Sequence, residues 1–248
     1  MQSIQELYRI GQGPSSSHTM GPRKAAERFK AAHPEVARFR VTLFGSLAAT
    51  GKGHLTDVAI QTALAPRPVE ILWEPYDVLP LHPNGMCFEA LDVDGNTTAR
   101  WEAYSPGGGA VMGEGDSPTA RTVYEQTTMR EILKTCTQQG ISFWEYVESR
   151  EGPEIWPFLA GVRQAMWAAI DRGIHAEGVL PGGLGVSRKA WMFYRKVRLS
   201  GPNLIQPEGL LPAYALAVAE ENAAGGEIVT APTCGSSGVL PAVLRHIQ

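Results

Sequence analysis

The sequence predicts an α+β N-terminal part followed by an all-helical part, on three observations. Residues 39–44, 69–73, 87–93 and 97–103 alternate or run apolar in the manner of strands, with two glycine-rich turns among them that each lead into a helical period. Past residue 123 the apolar side chains recur at helical spacing alone. Between these regions, residues 113–119 turn to Gly, Asp, Ser and Pro, the composition of a linker. The expected organisation is therefore an α+β domain at 1–114, a linker at 115–122 and a helical domain at 123–248.

Composition narrows the class further. The 248 residues are 44% hydrophobic and 19% charged, which is ordinary for a chain with a buried core. A net charge of -3 and the lack of a Lys/Arg block argue against nucleic acid as a partner. No signal-peptide pattern and no bilayer-length apolar run occur, so a soluble, cytoplasmic protein without a membrane partner is expected. Cys87, Cys136 and Cys234 are too widely spaced for a disulfide framework or a self-contained zinc site. Val239–Gln248 opens like a buried helix with no stop signal, so the chain is expected to be a fragment.

Taken in order, the first element is a short amphipathic start at Gln2–Ile10. Gly13–Pro22 (GPSSSHTMGP) follows, a polar turn with three serines and a histidine, and Pro22 suits the first turn of a helix running to about Ala32. Unpaired N–H groups at that helix start, with hydroxyls beside them, can hold a small anion such as a carboxylate. Phe39–Phe44 is a strand. Gly45–His54 repeats the glycine, hydroxyl and histidine pattern as a turn, before a helix whose first turn contains Asp57. Val69–Trp73 is the next strand, and Asp94-Gly95 closes a hairpin of 87–93 with 97–103. Tyr104–Gly109 ends the strand-rich part. Helices are expected at Val123–Gln139, after a capping box at Ser142–Glu145, along the stripe Ile155 to Ile170, and at Ser187–Arg198 and Leu211–Asn222.

Six of these stretches, in this order, resemble the iron–sulfur-dependent L-serine dehydratases, also called L-serine ammonia-lyases. They are Gly13–Pro22, Gly45–Asp57 (GSLAATGKGHLTD), His82–Met86 (HPNGM), Tyr104–Gly109 (YSPGGG), Asp171–Gly182 with its EGVLPG run, and Glu220–Leu244. The resemblance implies a β domain like the allosteric substrate-binding domain of some phosphoglycerate dehydrogenases. It also implies an α domain holding a [4Fe–4S] cluster, with the active site between the two. There, L-serine would be dehydrated to aminoacrylate, which hydrolyses to pyruvate and ammonia. A homodimer is expected. Cys234 would be the cluster ligand offered by this chain, with the others beyond Gln248. The family pattern sets its cysteine later in this loop and places asparagine where Cys234 stands.

The chemistry assigns roles to the remaining residues. A base must take the Cα proton, and His18 and His54 are the candidates, each placed before a predicted helix start that disfavours imidazolium. A Lewis acid must act on the leaving hydroxyl, which an open-site iron can do. Ser15, Ser16, Ser17, Thr19, Lys52 and Asn84 would hold the substrate's carboxylate and ammonium groups. Plainer readings stand beside these: the serines as helix caps, Lys52 as a surface charge, Asn84 as an Asx turn, and Cys87 and Cys136 as small buried residues. Two other functions compete. A serine-sensing regulatory module would use the α+β part alone. A pyridoxal-phosphate dehydratase would need a Schiff-base lysine in a Ser-x-Lys setting, which Lys52 lacks.

Overall fold

The computed structural model describes residues 1–113, 122–199 and 209–248. Its elements begin with strand β1 (Ile10–Gln12) and a π-helical turn, Ser16–Met20, that runs without a break into α1 (Gly21–Ala32). Then come β2 (Arg38–Phe44), α2 (Gly45–Thr50), a 3-10 turn at Gly51–His54, α3 (Thr56–Leu64), β3 (Val69–Glu74), β4 (Gly85–Leu91), β5 (Thr97–Gly107) and β6 (Ala110–Gly113). The sheet has the order β3-β2-β4-β5-β6. β2 and β3 are parallel, which requires the crossover that α2 and α3 provide, and the other pairs are antiparallel.

Strand alternation decides the layers. Phe39, Val41 and Leu43 of β2 point to one face, where Ala25, Ala26 and Phe29 of α1 and Ile60 and Leu64 of α3 cover them. The opposite face is polar: Arg40 bonds Glu70 at 2.8 Å and faces Glu89 at 3.9 Å. An α+β sheet covered by helices on one side is thus confirmed for this part.

The helical part comprises α4 (Met129–Gln139), α5 (Phe143–Glu151), α6 (Ile155–Gly173), α7 (Ala190–Leu199), α8 (Leu210–Ala223) and α9 (Val239–Ile247), with a short strand β7 (Glu227–Val229). Ala169 and Ile170 of α6, Ala190 of α7, Ala217 and Val218 of α8 and Ile228 of β7 share one core. The capping box at Ser142–Glu145 is present.

Four expectations are corrected. The Ser/His stretch is helical from Ser16, because Ser15 caps it through its hydroxyl and Met20 N–H reaches back five residues to Ser15 O at 3.0 Å. The Gly45–His54 turn is likewise helical, since Leu47 is fully buried in the core and pulls Ala48 and Ala49 into a helix with it. Tyr104–Gly109 does not end the sheet. Gly107, Gly108 and Gly109 all take positive φ, so β5 turns straight into β6. The helix expected at Val123 starts at Met129, after a second capping box formed by Thr128 and Glu131. Apart from Thr122, the expected linker at 115–122 lies outside the described residues.

β1 and β7 pair antiparallel, with Gly11 opposite Ile228. The first twelve residues are also sewn to the helical part: the Glu151 carboxylate accepts from Ser3 Oγ at 2.7 Å, Ile4 N–H at 2.8 Å and Tyr124 OH at 2.6 Å. A domain division at 1–114 and 123–248 stands as a proposal, with residues 1–12 attached to the second part by these contacts.

Candidate active site

The β1–β7 ribbon brings the sequence motifs of the two parts together. Thr230 continues it, donating its N–H to Arg9 O at 2.9 Å and its hydroxyl to Leu7 O at 3.0 Å. Gly13 N–H bonds Gly226 O at 3.1 Å, and Asn222 Nδ2 donates to Pro14 O at 3.1 Å. The loop after Thr230 therefore meets the Ser/His turn, and Cys234 Sγ lies 3.4 Å from Met20 Sδ. On the other side of the turn, Gly21 packs so tightly against Ser105 that a Cβ there would lie 2.0 Å from Ser105 Oγ. Three of the six family-like stretches thus meet at one junction.

Two buried glutamates at the end of α8 hold the helical side. Glu221 takes Arg172 Nε at 3.0 Å on one oxygen and Arg188 Nη1 at 2.9 Å on the other. Glu220 accepts from Lys189 N–H at 2.6 Å and so secures the start of α7. Arg172 also donates to Glu227 O, so the same network fixes β7.

At the junction the two histidines face each other, with ring centroids 4.8 Å apart and planes inclined by 38°. His54 Nδ1 donates to Thr50 O at 2.9 Å, because a carbonyl can only accept. In the neutral ring this leaves the lone pair on Nε2. His18 is engaged at both nitrogens, Nδ1 with Ser17 Oγ at 2.9 Å and Nε2 with Ser46 Oγ at 3.1 Å. Its pKa lies below the ordinary 6.5, first through burial and second through the neighbouring His54, with the Ser46 contact opposing both. Burial and His54 favour the neutral His18 ring, whereas the helix start expected after His18 lies before it, at Ser16.

The other expected site residues are distributed as follows. Ser15 Oγ accepts from His18 N–H at 3.1 Å. Ser16 is buried, and Ser16 and Ser17 are the first two residues of the helical turn. N–H groups in the first turn of a helix find no partner within it and are suited to an anion. Thr19 Oγ1 donates to His54 O at 2.7 Å and accepts from Ser15 N–H at 3.2 Å. Asn84 is buried, and its Nδ2 donates across the loops to Ser105 O at 3.0 Å instead of forming an Asx turn. Its neighbour Pro83 accepts from Ser46 N–H at 3.1 Å, which ties that loop to the His18 contact. Lys52 is exposed, with Nζ 5.6 Å from the centre of the Trp73 ring. Ser46, Thr56 and Ser105 also belong to the site region. They stand inside the family-like stretches, but nothing in spacing alone marks a serine or threonine as a neighbour of a distant histidine.

The three cysteines lie in separate surroundings. Cys87 lies on β4 with Arg100 Nε at 3.1 Å, and Cys136 packs on α4 with Ile132 and Tyr146. Cys234 is 2% exposed, and burial pushes its thiol up to about 12, whereas a ligand must be a thiolate. Among the described residues no group of three His, Cys, Asp or Glu side chains is placed to hold a metal ion. These residues by themselves do not fit a four-iron cluster.

A mixed sheet followed by a helical part, meeting beside a pair of facing histidines, defines the class of fold. Family models agree on both parts: serine dehydratase beta chain matches residues 3–71, and serine dehydratase alpha chain matches residues 96–248. The chain belongs to the serine dehydratase family. It is 35% identical to an L-serine dehydratase of Streptomyces coelicolor over 297 residues, covering 98% of this chain and 65% of that protein. It is 34% identical to one of Haemophilus influenzae over 302 residues, covering 100% and 66%. With L-serine dehydratase 2 of Escherichia coli the identity is 35% over 300 residues, covering 99% and 66%. The chain therefore spans slightly less than two thirds of these relatives. The aligned stretches are longer than its 248 residues, so the relatives carry internal segments with no counterpart here.

Proposed function

We propose that this chain binds L-serine and abstracts its Cα proton, as the polypeptide side of an L-serine ammonia-lyase that yields pyruvate and ammonia. The observation that carries the reading is the His18–His54 ring pair, with His18 set in the Ser15-capped turn whose Met20 meets Cys234 of the helical part. The substrate carboxylate would sit on the first N–H groups of that turn and on the Ser15, Ser16 and Ser17 hydroxyls, with Lys52 and Asn84 as further contacts. His54 is the proposed base, since its Nδ1 is committed to Thr50 O and its Nε2 carries the lone pair. His18, hydrogen-bonded at both nitrogens, would order the site and hold its ring neutral beside the base. As the Cα–H bond breaks, its electron pair forms the Cα=Cβ bond and the Cβ hydroxyl leaves with a proton as water. The aminoacrylate released then hydrolyses.

Departure of hydroxide needs an electrophile. The [4Fe–4S] cluster belongs to this proposal only with ligands from outside the described residues, and Cys234 is the thiol that lies at the junction. Homodimeric assembly and a cytoplasmic place go with the same reading. Among the described residues no helix is long and apolar enough to cross a membrane.

The test is calorimetric titration of the purified chain with L-serine, alongside pyruvate formation after anaerobic incubation with iron and sulfide. Saturable binding is expected, weakened in Ser17→Ala and retained without turnover in His54→Ala. A folded chain that does not bind L-serine overturns the proposal. Binding with undiminished turnover in a His18→Ala/His54→Ala double variant would leave a serine-sensing module instead.

A further inference from the structure

Two threonines cross between the histidine segments. Thr19, the residue after His18, donates its hydroxyl to the carbonyl of His54 at 2.7 Å. Thr56, two residues after His54, donates its hydroxyl to the carbonyl of His18 at 2.5 Å. Both threonines are buried, Thr56 completely. The bonds are reciprocal: each histidine's backbone is held by a side chain from the other histidine's segment.

The chain frees both acceptors for this purpose. In a regular helix the carbonyl of His18 would accept from the residue four positions on. That residue is Pro22, which has no N–H. His54 ends a 3-10 turn, and the N–H four residues on, that of Val58, is taken by Asp57 Oδ1 at 2.9 Å. Between His54 and Thr56 the backbone passes through Leu55 at φ 57, a left-handed conformation uncommon for leucine. That reversal is where the 3-10 turn ends and α3 begins, so Thr56 starts α3 with its hydroxyl turned back to the Ser/His turn.

We propose that Thr19 and Thr56 are positioning residues which clamp the two histidine backbones together and so set the distance and tilt of the imidazoles. This gives Thr19 a role other than substrate contact, since its hydroxyl is engaged both as donor and as acceptor. The inference rests on the reading of the histidine pair as the reacting centre, but its geometry is testable without turnover. Loss of either hydroxyl leaves a partly buried carbonyl without its donor and lets the histidine segments separate.

The experiment is NMR of the imidazole protons and nitrogens in wild type, Thr56→Val and Thr56→Ser, with Thr19→Val as a second site. In wild type, inter-ring NOEs between His18 and His54 and an exchange-protected Thr56 hydroxyl proton are expected. In Thr56→Val the NOEs should weaken several-fold, and the His18 titration midpoint should rise toward that of an ordinary histidine. Thr56→Ser should restore both. Folded valine variants with wild-type NOEs and midpoint would overturn the clamp. So would a wild-type Thr56 hydroxyl proton in free exchange, a measurement that stands even if a valine variant fails to fold. A folded wild type that does not bind serine, with rings that respond to the variants as expected, would sink the proposed function and leave the clamp. Intact binding with unmoved rings would do the reverse.

Discussion

Replacing Glu221 by glutamine removes one charge from the centre of the helical part while keeping the side chain's volume. The Glu221 and Arg188 side chains are only 9% and 11% exposed, and their oxygen and nitrogen lie 2.9 Å apart. Removing one member of such a pair strands the other charge away from water, which costs about 3–5 kcal/mol when burial is complete. The second partner, Arg172, is 42% exposed and can turn to solvent, so its share is within about 0–1 kcal/mol. Glutamine retains one acceptor oxygen, which places the expected loss at the lower end, about 3 kcal/mol. Equilibrium urea unfolding of wild type, Glu221→Gln, Arg188→Met and the double variant reads this directly. The double variant should be more stable than the sum of the single losses predicts, because the stranded charge is gone. A loss below about 1 kcal/mol for Glu221→Gln, or strict additivity in the cycle, would refute the reasoning. Because Arg172 also bonds Glu227 O, the variant should in addition speed hydrogen exchange of the β7 amides.

Two further predictions concern ionisation at the junction. Burial and His54 hold His18 below its ordinary pKa of 6.5, so the unfolded chain takes up a proton at this site before the folded one does. Stability is full above pH 6.5 and falls as pH drops below it toward the folded-state pKa. Urea midpoints at pH 7 and pH 5.5 should differ less in His18→Asn than in wild type, and an unchanged difference would remove His18 as the cause. Cys234, with its thiol pushed up to about 12 by burial, should resist iodoacetamide at pH 8 in the folded chain and react once urea unfolds it. Alkylation at similar rates in both states would show that the Met20 contact does not form.

Local rules carried the reading wherever neighbours in sequence decide the conformation. The strands at Phe39 and Val69, the Asp-Gly hairpin and the capping box at Ser142 were all legible, since alternation, turn chemistry and caps act over a few residues. They failed where a distant partner decides. β7 is three residues long and β1 likewise, too short to show a period, and each exists through pairing with the other across more than two hundred positions. Gly45–His54 reads as a turn from its glycines, but the buried Leu47 makes it helical.

The site divides in the same way. The sequence by itself determined the inventory: paired histidines in hydroxyl- and glycine-rich segments, a serine run before a helix, and Pro22 in that helix's first turn. Only the tertiary structure decided who meets whom. His18 and His54 are 36 positions apart, yet their rings face each other, with Thr19 bonded to the His54 carbonyl and Thr56 to the His18 carbonyl. Asn84 binds Ser105, Lys52 lies over Trp73, and Cys234 stands against Met20 as a buried thiol. Hydrogen bonds and burial are properties of assembled neighbours, and a side chain's protonation and free lone pairs follow from them rather than from its place in the chain.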